Sequence, residues 1–104
     1  MVLLKRYVAH ETDDFKFEID EYQDDTGQQR LIAHLRFMRW TPGVLKRVMR
    51  DWKLFRTVVT APLYGSPQID DERWLKFVTR MGWKPFSTVL CNDGVERPLY
   101  IHTV

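Results

Sequence analysis

The sequence predicts an α+β domain, a central and mostly antiparallel sheet of about six strands with two helices packed on it. Three observations lead there. Phe15 to Tyr22 (FKFEIDEY) alternates apolar and charged residues with the period of two of a half-buried strand. Leu45, Val48, Met49, Trp52 and Phe55 recur at the three-and-four spacing of one helical face. Turn signals at Asp24-Asp25-Thr26-Gly27 and at Asn92-Asp93-Gly94 each separate two strand-like runs, as hairpin turns do.

In chain order, residues 3 to 9 (LLKRYVA) predict a short first strand, and Phe15, Phe17 and Ile19 give the second strand its inward face. Residues 30 to 40 (RLIAHLRFMRW) predict a long third strand. Thr41 is placed to cap the first helix, and Pro42 stands at the first helical position, where its missing N–H leaves no bond unmade. The apolar stripe predicts a helix of about 13 residues, with Lys46, Arg47, Arg50 and Lys53 on its outer face. Thr57 to Ala61 (TVVTA) is β-branched and bounded by Pro62, and predicts a short buried strand. In the second helix Asp70 is the cap, Asp71 and Glu72 favour the positive end, Trp74, Phe77, Val78 and Met81 form the inner face, and Gly82 is the stop. Residues 86 to 91 and 98 to 104 predict a closing hairpin.

With 104 residues and no Pro, Gly or Ser run, repeat or low-complexity stretch, the chain is expected to be a single domain spanning 1–104. Four Trp, six Phe and four Tyr supply a core without staples. Cys91 is the single cysteine, which excludes a disulfide framework and is expected to be a small core residue. After Met1 the first residues offer three apolar positions before Lys5, far short of a secretory or membrane segment, so a cytoplasmic protein is expected. The net charge of +2 is unevenly spread. Residues 11 to 25 hold eight acids and one Lys, and residues 36 to 56 hold seven Lys or Arg and one Asp.

No motif for metal, phosphate or nucleophilic chemistry occurs. His10, His34 and His102 lack ligand-type neighbours, so no metal is expected. Glu18 and Asp20 share one strand face and predict a solvated hairpin surface. Lys46, Arg47, Arg50, Lys53 and Arg56, with Trp40 and Trp52 nearby as stacking rings, make nucleic acid one candidate partner. Asp13, Asp14, Asp24 and Asp25 oppose that helix in sign, which suits a protein partner or self-assembly. Tyr64, Pro67 and Trp83 are the candidate apolar anchors for such a contact.

From Phe15 onward the order of hairpin, helix, strand, helix and hairpin resembles the core of the GNAT N-acetyltransferases. Trp74-Leu-Lys-Phe-Val-Thr-Arg-Met-Gly-Trp83 is similar to that family's penultimate helix with its glycine stop and following aromatic. The resemblance implies acetyl-CoA held at the loop before the first helix by Thr41, Gly43 and Val44. The family's glycine-rich pyrophosphate loop is here Trp40-Thr41-Pro42-Gly43, with one glycine left and Pro42 lacking a donor. The family's thiolate-protonating Tyr falls at Val78 and its Asn at Asp71. The chain also resembles small, trimmed GNAT-like proteins of bacteriophages. Together these imply a non-catalytic scaffold or binding protein without a cofactor or catalytic residue, a virion or assembly component or a binder of a host protein. An acyl-CoA-dependent N-acetyltransferase is the alternative, and a nucleic-acid-binding module the second.

Overall fold

The computed structural model describes residues 2–66, 72–90 and 93–104. Asp70, Asp71, Pro67, Cys91 and Asn92, assigned roles above, lie outside the described residues. The elements are β1 (Val2–Glu11), β2 (Phe15–Gln23), β3 (Gln29–Phe37), α1 (Pro42–Val58), β4 (Leu63–Gly65), α2 (Glu72–Arg80), β5 (Lys84–Leu90) and β6 (Glu96–His102). They build one six-stranded sheet in the order β1-β2-β3-β4-β6-β5, antiparallel except between β3 and β4.

The period-two pattern of β2 sorts the two faces of this sheet. Phe15, Phe17 and Ile19 pair with Phe37, Leu35 and Ala33, so these six residues share a face. Both helices pack there. Trp52 and Phe55 of α1 lie 5.3 and 5.7 Å from the Phe17 ring, while Trp74 and Phe77 of α2 lie 5.6 and 6.1 Å from Phe37. Val44, Val48, Trp52 and Leu63 are buried with them, and so are Phe77, Val78, Met81 and Trp83. Leu45, Met49 and Phe55 are only partly buried, because Val44 rather than Leu45 points to the centre of the contact.

The first helix begins as the sequence predicts. Thr41 is extended and its hydroxyl accepts the Val44 N–H at 3.2 Å, with Pro42 at the first position. Its end is a correction, for α1 runs 17 residues and takes in Thr57 and Val58. The predicted strand at 57–61 does not form, and β4 is the three residues Leu63–Gly65. The reason is Arg56. Its buried guanidinium donates to the Val59 and Ala61 carbonyls at 2.9 and 2.8 Å and to the His102 carbonyl at 3.1 Å. That grip satisfies orphan carbonyls beyond the helix end and overrides the local preference of the β-branched residues, leaving Val58 82% exposed. Arg56 therefore belongs to the interior and not to the basic outer face.

Further boundaries differ from the sequence reading, and the closing hairpin forms at Lys84–Leu90 and Glu96–His102 instead of 86–91 and 98–104. β1 extends to Val2–Glu11, with register shifts between Leu3 and Lys5 and between Val8 and His10. β3 stops at Phe37, because the Met38 and Arg39 N–H groups both donate to the Asp14 carbonyl and turn the chain off the sheet. Gly82, at φ 101, closes α2 in a conformation that a Cβ would strain.

Candidate functional site

β3 and β4 are joined by only two parallel pairs, Leu31 with Leu63 and Ile32 with Tyr64. Beyond them the strands part, and a cleft of about 660 Å³ opens between them, a size that suits a ligand or a segment of a partner. Ala33 to Phe37 of β3 line one wall, and Gly65 and Ser66 line the other. Toward the helices the cleft is aromatic, with Phe37, Trp40, Trp74, Trp83 and Tyr100 along it. Trp40 sits edge-on to Phe37 at 4.8 Å and 5.8 Å from Trp74, with its residue 45% exposed, so an indole face is open to an incoming group. Gly65 lets the Trp83 ring lie close against the opposite wall, since a Cβ there would be 3.2 Å from that ring and would push it back by a few tenths of an ångström.

The other mouth of the cleft is ionic. On the sheet face away from the helices, Asp20 is fully buried. Its carboxylate accepts from Arg6 Nε and Nη2 at 2.8 and 3.0 Å and contacts His34 Nε2 at 3.0 Å, with the Tyr22 hydroxyl at 3.5 Å. The Arg6 hydrogen bonds hold the Asp20 carboxyl below its ordinary range, against the opposing effect of burial, with His34 adding to them. With Nε2 bonded to Asp20, the His34 ring is held in place and its Nδ1 has no partner among the described residues. One rung along, burial pushes the Glu18 carboxyl up, but Lys16 and Arg36, each at 3.1 Å, more than offset it. Glu18 and Asp20 are thus not the solvated surface that their alternation predicts. The exposed members of this carpet are the cations, with the Arg6 and Arg36 side chains 59% and 56% exposed.

The partner candidates named from sequence separate into different places. Lys46, Arg47, Arg50 and Lys53 do lie exposed on α1. Arg47 is engaged by Asp14, so part of the expected complementarity of acidic hairpin and basic helix is satisfied within the chain, while Arg50 is engaged by its neighbour on the helix, Asp51. Asp24 is also engaged. The Thr26 hydroxyl, two backbone amides and Arg30 close the hairpin turn around it and draw its carboxyl down to about 2. Tyr64 is half-buried beneath Arg30, which donates to its hydroxyl at 3.0 Å. Trp83, expected as an outward anchor, is buried and faces Trp52 and His102, because the left-handed turn at Gly82 sends the chain back into the core. Trp52 is buried as well and is not available to stack on a base.

The residues that the resemblance assigns to acetyl-CoA do not line the cleft. Thr41 and Gly43 are exposed at the start of α1, and the Val44 side chain is buried. The Val44 amide is taken by the Thr41 hydroxyl and the Leu45 amide by the Thr41 carbonyl, and Pro42 has none. Among the described residues the Gly43 N–H is the one amide of the first turn of α1 left without a partner. Val78 is on the cleft wall, where an aliphatic side chain has no proton to give.

Sequence reasoning missed His102. Trp52 Nε1 donates to His102 Nε2 at 3.0 Å while the Met81 carbonyl lies 2.8 Å from the same nitrogen, and one ring nitrogen serves these two in opposite tautomers. Burial pushes the His102 pKa down; the Met81 carbonyl works the other way, and the charge of Arg56 adds to the lowering.

Among the described residues no helix is long and apolar enough to cross a membrane, and no group of His, Cys, Asp and Glu could hold a metal ion. No family model, curated protein or solved structure matches the chain.

Proposed function

We propose that this chain is a non-catalytic binding module on a GNAT-like scaffold, and that it receives its partner in the cleft between β3 and β4. The observation that carries the proposal is the pairing of an open aromatic wall with an ionic mouth in that cleft. Binding needs apolar surface and a few fixed polar groups, and both are present. Acyl transfer from acetyl-CoA also needs a held pyrophosphate and a proton donor for the thiolate. Pro42 and Val78 stand where the resemblance puts those functions. The likeness to small GNAT-like phage proteins extends the proposal to a virion or assembly component, or a protein that captures a host protein in the host cytoplasm.

The neutral dye N-phenyl-1-naphthylamine tests the cleft without presupposing a partner. Its fluorescence should rise saturably on titration with the protein, weaken at least tenfold with Trp40→Ala, and stay unchanged with Lys53→Ala on the outer face of α1. Absence of saturable binding, or equal binding by the two variants, would remove the cleft as the binding surface.

A further inference from the structure

β3 is paired with β2 along its whole length, from Gln29 to Phe37, but with β4 only through Leu31 and Ile32. Every second residue of an antiparallel strand turns its N–H and C=O away from the strand already paired with it. From His34 to Phe37 those groups face the cleft, and no backbone bond to them occurs among the described residues. The wall of the cleft is therefore an unpaired strand edge inside the sheet. Such an edge receives an extended chain by main-chain hydrogen bonding.

The two faces of the sheet then dictate the side chains of that guest. Leu35 and Phe37 lie on the helix side, where Trp40 and Trp74 complete an aromatic wall, while His34 and Arg36 lie on the other side beside Arg6. On that side the carboxylates of Glu18 and Asp20 are buried under their partners, and the exposed groups are guanidinium ions, Arg36 being tied to Glu18 through Nε. A strand presents successive side chains to opposite faces. Resting on the reading of the cleft as a binding surface, we infer that the partner contributes an extended peptide segment alternating apolar and acidic residues, which adds as a strand along His34 to Phe37. Its apolar side chains meet the aromatic wall, and its carboxylates meet Arg6 and Arg36.

The probe is a short fluorescein-labelled peptide alternating valine and glutamate, measured by anisotropy beside two controls. One control has lysine for each glutamate, and the other is N-methylated at alternate amides. The valine–glutamate peptide should bind, and both controls should bind at least tenfold more weakly. Arg36→Glu, at an exposed position, should reverse the preference between the glutamate and lysine peptides, and a melting curve checks that this variant is folded. The N-methylated arm uses the unaltered protein and decides strand addition by itself, since equal binding of that peptide overturns it. If the naphthylamine dye binds and neither charged peptide does, the inference fails and the cleft remains. If neither dye nor peptide binds, both readings fall.

Discussion

Replacing Asp20 by Asn keeps the shape of the side chain and removes its charge, and so isolates what the buried carboxylate does. In place of one acceptor oxygen the amide presents a second donor to Arg6 Nη2 and His34 Nε2, now 3.0 Å from Asp20 Oδ2. Hydrogen bonds to a charged group contribute about 1.5–3 kcal/mol each when buried. The Arg6 side chain is 59% exposed and rehydrates when released, so its share is discounted and the net loss comes to about 1.5–3 kcal/mol. For a domain of this size that lowers the melting temperature by roughly 6–24 °C. Urea denaturation at pH 7 and pH 3 measures it. The folded-state pKa of Asp20 is depressed, so its contribution is present above the unfolded value of about 3.9 and disappears as pH falls through the folded value. The difference between wild type and Asp20→Asn should accordingly narrow at pH 3. A loss under about 0.5 kcal/mol at pH 7, or the same gap at both pH values, would refute the argument that this carboxylate is buried and ionised.

His102 has a lowered folded-state pKa, so protonation favours unfolding, and its contribution is intact above about pH 6.5 and lost below it. Melting temperature should begin to fall near that pH in the wild type and stay level down to about pH 4 in His102→Gln, whereas parallel curves would contradict the assignment. Arg56→Met should cost about 2–4 kcal/mol in urea denaturation by orphaning the carbonyls of Val59, Ala61 and His102, and a loss below about 0.5 kcal/mol would show that the end of α1 does not depend on it. A ligand at 100 times its Kd stabilises a fold by about 2.7 kcal/mol, so a thermal scan with millimolar acetyl-CoA should show no clear shift, and a rise of several degrees would restore the transferase reading.

The element types were legible because each rests on local pattern. The alternation of β2, the stripe of α1 and the glycine stop of α2 need nothing but neighbours in sequence. The start of α1 was legible for the same reason, through Thr41 and Pro42. What was not legible depends on contacts distant in sequence. Thr57 and Val58 read as strand until Arg56 finds the His102 carbonyl, 46 residues away. That displacement of β4 to Leu63–Gly65 shortens its pairing with β3, and the cleft follows from the short pairing. Asp20 alternates like a surface residue, and only the register of three strands reveals Arg6 and His34 closing over it. Trp83 follows a helix stop, where periodicity has no more to say about direction.

The central claim, that the cleft between β3 and β4 is the binding surface, is tested most directly by amide chemical-shift mapping of the isotope-labelled protein during titration with N-phenyl-1-naphthylamine. The account predicts that the largest shifts cluster at residues 33 to 37, Gly65, Ser66 and Trp74, and that Lys46, Arg47, Arg50 and Lys53 stay near their free positions. Shifts concentrated on that basic face of α1, or scattered over the sheet without focus on the cleft, would contradict it.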